Sequence, residues 1–461
     1  MLTYEDLLAV GQYEGNRMRF VQDVIGEHQS SAAYKKAAAA MKYYKGENPT
    51  IGAYEKIIYD QLGKAHVDMW TANHKIASQF FPFVIDQEVS YLLGNGVRFG
   101  NDATKDKLGE DFDEQTQDAT ELARVCGTSF GFWNLDHVDV FSYLEFAPLY
   151  GEETGALMAG VRWWQIDPQK PLRATLYEPD GYTEYIKRSG EEMAVLREKR
   201  PYKVTVVHTA ADGEIDANGE NYDGFPIVPL YGDKQRQSAL AGKQNTVDAL
   251  DLSCSNMVNN VDEGNLIYWV LTNCGGMDDL DDAKFLERLK TTHIVHADGD
   301  AGATATAQSV EAPFNGTQTT IDMLTKRLYA DFQAFDASAV TASNQSATAI
   351  KASYIPLDLK CDKIERQVTR WILGILKLAG IDDKPTYQRN QLINKTEETQ
   401  NIIMQASYLD EEYVREKLLA INGDIDQLEE ITKRIDAEGF KRNPAADQDE
   451  EEAEEQEEAG E

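Results

Sequence analysis

Cysteine and histidine are scarce in this chain of 461 residues, at four and seven. Cys126, Cys254, Cys274 and Cys361 share no CxxC or CxxH spacing. They encode neither a zinc site nor a disulfide framework, and read as small buried hydrophobes. His293 and His296 stand three apart in THIVHADGD (292–300), a spacing that on a strand puts them on opposite faces rather than around a metal. Long apolar runs are also missing. WILGILKLAG (371–380) is among the longest, about half of the roughly 20 residues a bilayer takes. The opening residues, MLTYEDLLAVGQYEGNRMRF, carry acids where a signal peptide has a basic end, so a soluble chain made in a cytoplasm is expected.

Positive charge is short as well. Lys and Arg number 45 against 79 Asp and Glu, a net charge of −34. The segment DQDEEEAEEQEEAGE (447–461) holds ten acids and no base, yet without it the chain still carries −24. Gripping DNA takes lysine and arginine to displace counterions from phosphate. The balance therefore excludes a DNA-gripping body, but not a wall along which DNA slides.

Catalytic motifs are incomplete. GTSFG (127–131) fits G-x-S-x-G with Ser129 as nucleophile, but that elbow needs a strand before the serine and a helix after it. Here helix-like sequence precedes and strand-like sequence follows; a hydrolase using Ser129 stays as the enzymatic alternative. LGNGVRFG (93–100) places Phe99 where the third glycine of a dinucleotide fingerprint belongs. LAGKQNT (240–246) lacks a P-loop's first glycine and has Gln244 for its Ser or Thr. DGDAG (298–302) opens like a calcium loop without the later ligands. No catalytic residue, metal or cofactor is assigned.

What is present predicts an α+β fold, mostly helical. Residues 1–95 read mainly as helix: SSAAYKKAAAAMKYYKGE (30–47) stops at Gly46, and NHKIASQFFPFVIDQEVSYLLGNG (73–96) has helical spacing. Another helix is expected over 112–126. From SFGFWNLD (129–136) to KVTVVHTA (203–210), short β-branched and aromatic runs alternate with turns, as in an antiparallel sheet. Helical period returns with Val247, Leu250, Cys254, Val258 and Val261, and again with Ile321, Leu324, Leu328, Phe332 and Phe335. Between them LIYWVLTN (266–273), DDLDDAKFLERLK (278–290) and 292–311 read as a β-α-β-β module. The pattern fits two long helices with a module at their tip, or two core helices with a surface excursion.

In SNQSATAIKASYIPLDLK (343–360) a small polar run leads into a helix that contains Pro356. An internal proline removes a donor and clashes with the preceding turn, at about 3 kcal/mol, so a bend is expected there. Helices follow at 366–381, 410–421 and 424–438, and disorder is expected beyond Pro444.

YYKGENPTI (43–51), NHKIASQFFPFVIDQEVSYLLGNGVRF (73–99), FPIVPLYGDKQRQSAL (225–240) and NQSATAIKASYIPLDLKCDKIER (344–366), in that order, resemble the portal proteins of tailed bacteriophages, in the subfamily typified by Bacillus siphophages. The resemblance runs from about residue 40 to 440. It implies a portal fold assembling as a ring: a wing at 1–239, a first stem helix at 240–263, a clip at 264–316 and a second stem helix at 317–335. A tunnel loop at 336–347, a kinked tunnel helix with wing return at 348–384, crown helices at 385–440 and a disordered acidic tail at 441–461 complete it.

The resemblance also implies roles. Ser338, Val340, Thr341, Ser343, Asn344 and Gln345 would line the channel; Family members often carry Ser-Gly where this chain has Ser346-Ala347. Lys351, Pro356 and Lys360 would lie on the tunnel helix, the lysines either touching DNA transiently or bridging subunits. Val247, Leu250, Val258, Leu324, Leu328 and Phe332 would form the stem interface, with apolar faces only partly covered within one subunit. The implied assembly is a homo-oligomer of twelve at the capsid vertex of the virion, built in the host cytoplasm and passing double-stranded DNA without sequence preference. Its implied partners are the terminase large subunit, major capsid and scaffolding proteins and a head-completion (adaptor) protein, with no membrane. A monomeric scaffold or adaptor is the non-enzymatic alternative.

Overall fold

The computed structural model describes residues 2–59, 62–69, 71–101, 103–209, 215–264, 267–272, 304–309, 314–338, 347–390, 395–422 and 428–438. The chain forms two compact units, Met1–Ala339 with Ser353–Asn390, and Val340–Ala352 with Gln391–Glu461.

The first unit opens with α1 (Tyr4–Val10), α2 (Glu14–Ser30), α3 (Ala32–Tyr44) and a short α4 (Pro49–Gly52). Ser31 caps α3 by accepting from the Tyr34 amide, and Gly46, at φ +76°, takes the chain off its far end. A hairpin follows, β1 (Ile57–Tyr59) with β2 (Ala65–Val67), in a stretch read from sequence as helical. The helix expected over 73–96 is shorter: α5 spans Phe80–Leu93, with Pro82 in its first turn, where a missing amide donor is harmless. Residues 73–78 form no regular element instead.

Next come β3 (Val97–Arg98), α6 (Ala103–Leu108) and α7 (Phe112–Cys126). Then β4 (Thr128–Asn134) and β5 (His137–Ser142) pair, followed by β6 (Phe146–Tyr150), β7 (Leu157–Trp164), β8 (Leu172–Glu178), β9 (Gly181–Lys187) and β10 (Ala194–Arg200) as an antiparallel meander. β11 (Lys203–Thr209) and β12 (Ile215–Glu220) form a hairpin, and β13 (Ile227–Tyr231) returns to pair with β4. The antiparallel region expected from sequence is thus present, divided between two sheets and a hairpin.

Two cores result. Leu7, Phe20, Val21 and Val24 of α1 and α2 pack on Leu149, Val161, Leu176 and Tyr185 of the meander. Phe146 and Tyr177, from the same strands, face the larger core of α3, α5, α7 and β4. β6 (FAPLY) reads as an apolar run, as a strand buried on both faces does, whereas β9 (GYTEYIK) alternates.

The chain continues into α8 (Gln244–Gly264), β14 (Ile267–Thr272), β15 (Thr304–Ser309) and α9 (Phe314–Phe332). α8 and α9 pack together, and β14 pairs antiparallel with β15 from Ile267↔Ser309 to Thr272↔Thr304. The expected helix at 278–290 and strand near 292–297 lie outside the described residues. α10 (Ala347–Ala379) continues as helix on both sides of Pro356, so the proline removes one hydrogen bond without ending the element. β16 (Thr386–Tyr387) then pairs with β3. In the second unit α11 (Lys395–Gln405) packs on α12 (Glu411–Asn422), and α12 on α13 (Leu428–Glu438).

Candidate functional site

α5 offers Gln87, Glu88 and Tyr91 to the two chain segments that flank residues 336–353. The Gln87 side-chain amide holds the Phe335 backbone both ways: its Nε2 donates to the Phe335 carbonyl at 3.0 Å, and its Oε1 accepts from the Phe335 amide at 2.8 Å. The Phe335 ring lies flat on Tyr354, centroids 4.0 Å apart, and Tyr354 stacks in turn on Tyr91 at 5.6 Å. Tyr91 donates its hydroxyl to Asp358 Oδ1 at 2.5 Å. The chain therefore leaves this point at Phe335 and regains it at Tyr354.

Beside the stack lies a buried charge centre. Glu88 Oε2 accepts from Arg124 Nε at 2.8 Å, and Glu88 Oε1 accepts from Lys360 Nζ. Lys360 also donates to the Phe332 carbonyl, and Arg124 Nη1 to the Gly232 carbonyl at 2.8 Å. Burial alone pushes the Glu88 carboxyl upward, but the two cations outweigh it and hold it below its ordinary value. For Lys360 burial wins, and its ammonium falls to about 8. Lys243, whose Nζ sits 4.8 Å from the Phe332 ring, is lowered by burial too. This centre joins α5, α7, α10, the start of α8 and the end of α9.

A second polar seam fastens residues 74–78 to α8. The His74, Ile76 and Ser78 amides donate to Asn259 Oδ1 at 2.7 Å, Ser255 Oγ at 3.0 Å and Asp251 Oδ1 at 3.1 Å. Alternate residues of this segment thus meet every fourth residue of the helix. Asp251 also accepts from Asn48 Nδ2 at 2.8 Å, and burial raises its carboxyl.

The sequence model of the family described as "Phage portal protein, SPP1 Gp6-like" matches residues 25–439. The chain belongs to this portal family. The portal protein of Clostridium phage phiCD119 is 24% identical over 359 residues, covering 71% of this chain and 77% of that one. The portal protein of Bacillus phage SPP1 is 22% identical over 366 residues, covering 76% and 69%. A solved chain from the neck of an empty GTA particle has a TM-score of 0.43 at 10% identity, covering 74% of this chain and 90% of that one. Portal proteins are structural components of the phage particle rather than enzymes.

Portal residues expected from the sequence fall into three groups. Val340, Thr341, Ser343, Asn344 and Gln345 lie outside the described residues; Ser338 is exposed, its amide and hydroxyl bonded to Asp336. Lys351 and Pro356 are exposed, whereas Lys360 is a correction: it is buried in the charge centre, out of reach of DNA or a neighbouring subunit. The stem set divides. Val247, Leu250, Leu328 and Phe332 are buried within the chain's own core, which overturns their assignment to a subunit interface. Leu324 is partly buried against that core, and Val258 is 36% exposed.

Ser129 is fully buried in β4 and donates its hydroxyl to the Ala119 carbonyl at 2.6 Å, so it is no nucleophile. Cys126, Cys254 and Cys361 are free, and burial raises Cys126 and Cys361 to about 12. Among the described residues no helix is long and apolar enough to cross a membrane. Sequence reasoning missed Gln87, Glu88, Tyr91 and Arg124. The one signal was the consecutive trio Asp86, Gln87 and Glu88 inside the otherwise apolar FFPFVIDQEVSYLL, and nothing marked Arg124.

Proposed function

We propose that twelve copies of this chain close into a ring at the capsid vertex, forming the channel through which double-stranded DNA enters and leaves. Family membership across residues 25–439 carries this reading. In it, residues 1–239 form the wing, α8 and α9 the stem, 264–316 the clip, and 385–440 the crown. The segment 336–347 rings the channel as the tunnel loop, and α10 bends near Pro356. Small polar side chains and a net charge of −34 let phosphate pass without being held. Terminase large subunit, head-completion protein, major capsid and scaffolding proteins are the partners this role requires, met in the host cytoplasm during assembly.

The stem supports the reading. Its root is buried in the chain, while further along Val258, Val261, Phe314 and Met323 are 36%, 45%, 37% and 60% exposed. Apolar side chains left uncovered along paired helices fit burial against neighbouring copies. Electron microscopy with native mass measurement tests this. Rings of about twelve subunits are expected; a species that stays monomeric under all salt conditions sinks the reading in favour of a monomeric adaptor.

A further inference from the structure

A groove of about 720 Å³ runs between α3 and the segment that leads into α8. Ala37 and Ala40 form one wall, Leu240 belongs to the other, and Cys126 lies in the lining. Lys35, Lys36 and Arg236 supply its charge, and none of its lining residues is acidic in a chain with 79 acids. Arg236 is fixed rather than floating. It takes a left-handed backbone at φ +58°, its amide bonds the Asp233 carbonyl at 3.2 Å, and its guanidinium lies 4.3 Å over the Tyr231 ring. A non-glycine residue held in that conformation costs energy, and such strain collects at working surfaces.

We propose that this groove is the acceptor surface for a second copy of the chain, the ring neighbour, which inserts an acidic segment with apolar side chains. The inference rests on the ring reading above. Head-to-tail closure needs two unlike patches on each subunit, one received by the other. A cationic, alanine-walled cleft on a body of net charge −34 is complementary to the same body's prevailing surface. Duplex DNA fits less well, because phosphate binding favours dense lysine and arginine over alanine walls.

The test compares wild-type full-length protein with Lys36→Glu/Arg236→Glu and with Ala33→Trp, which fills the cleft from an exposed position of α3. Native mass measurement is expected to show rings for wild type. For both variants the concentration needed for rings rises about tenfold or more, some 1.4 kcal/mol, at an unchanged melting midpoint. A photo-crosslinker replacing Lys36 covers the case in which a variant misfolds: it is expected to join two copies. Wild type without rings overturns the ring reading itself. Wild-type rings with variants that assemble equally well, or crosslinks only within one chain, overturn the groove assignment alone. So does unchanged assembly with altered retention of duplex DNA, which makes the groove a DNA contact.

Discussion

Lys360 shows how a single side chain can serve packing while looking, in sequence, like a channel cation. Its charge enters the core because Glu88 and the Phe332 carbonyl receive it there. The centre nevertheless holds Arg124, Lys360 and Lys243 around one carboxylate, so burial still dominates for Lys360 and lowers it from 10.5 to about 8. Between those values the unfolded chain binds a proton that the folded chain has released, so this group makes stability rise with pH across the window. Urea midpoints are expected to show that rise in wild type and to lose it in Lys360→Met. Glu88 has linkage of the same sign in an acidic window. Its depressed carboxyl contributes stability above the unfolded value of about 4.5, lost as pH falls through the folded one. Glu88→Ala leaves buried cations without their counter-charge, and about 3–5 kcal/mol of unfolding free energy should disappear. Ser129→Ala, removing one neutral hydrogen bond, should cost only about 1 kcal/mol and leave assembly intact.

At the scale of elements, the seam on α8 works because two periods coincide. Four residues of helix advance about 6 Å, within the reach of two residues of chain, so amides at 74, 76 and 78 find acceptors at 259, 255 and 251. Asn259→Ala orphans the His74 amide; a loss of about 1–3 kcal/mol and faster hydrogen exchange at that amide are expected. Unchanged exchange would show that the seam is not holding the segment. Sequence period made α7, α8 and α9 legible, since apolar residues at steps of three and four need only local geometry. The seam was not legible, because Asp251, Ser255 and Asn259 look like the solvent face of an amphipathic helix until the partner segment is in place. The stack of Phe335 on Tyr354 was hidden for a similar reason: the two rings are brought together by α5, far away in the chain. Tyr354→Ala should speed proteolytic cleavage between 336 and 353 and cost about 3–5 kcal/mol, while Tyr354→Phe, which keeps the stack, should lose less.

For the whole molecule, charge sets the terms of assembly. Each copy carries −34, and a closed ring holds many such bodies within a few ångströms of one another. In the proposed ring, apolar burial of Val258, Val261 and Met323 would not weaken with salt, and the cations of the α3 groove number three against that excess. Like-charge repulsion between copies therefore outweighs local attraction as the salt-sensitive contribution. Its range falls from about 30 Å at 0.01 M salt to about 8 Å at 0.15 M. The fraction of protein in rings is expected to rise across that interval. Deleting 447–461 removes ten acids and leaves −24, which should move the transition to lower salt. Light scattering across a salt series, with and without those residues, measures both. Rings that dissolve as salt is added would mean that ion pairs hold the subunits together, and the apolar stem contacts would lose their place in the interface.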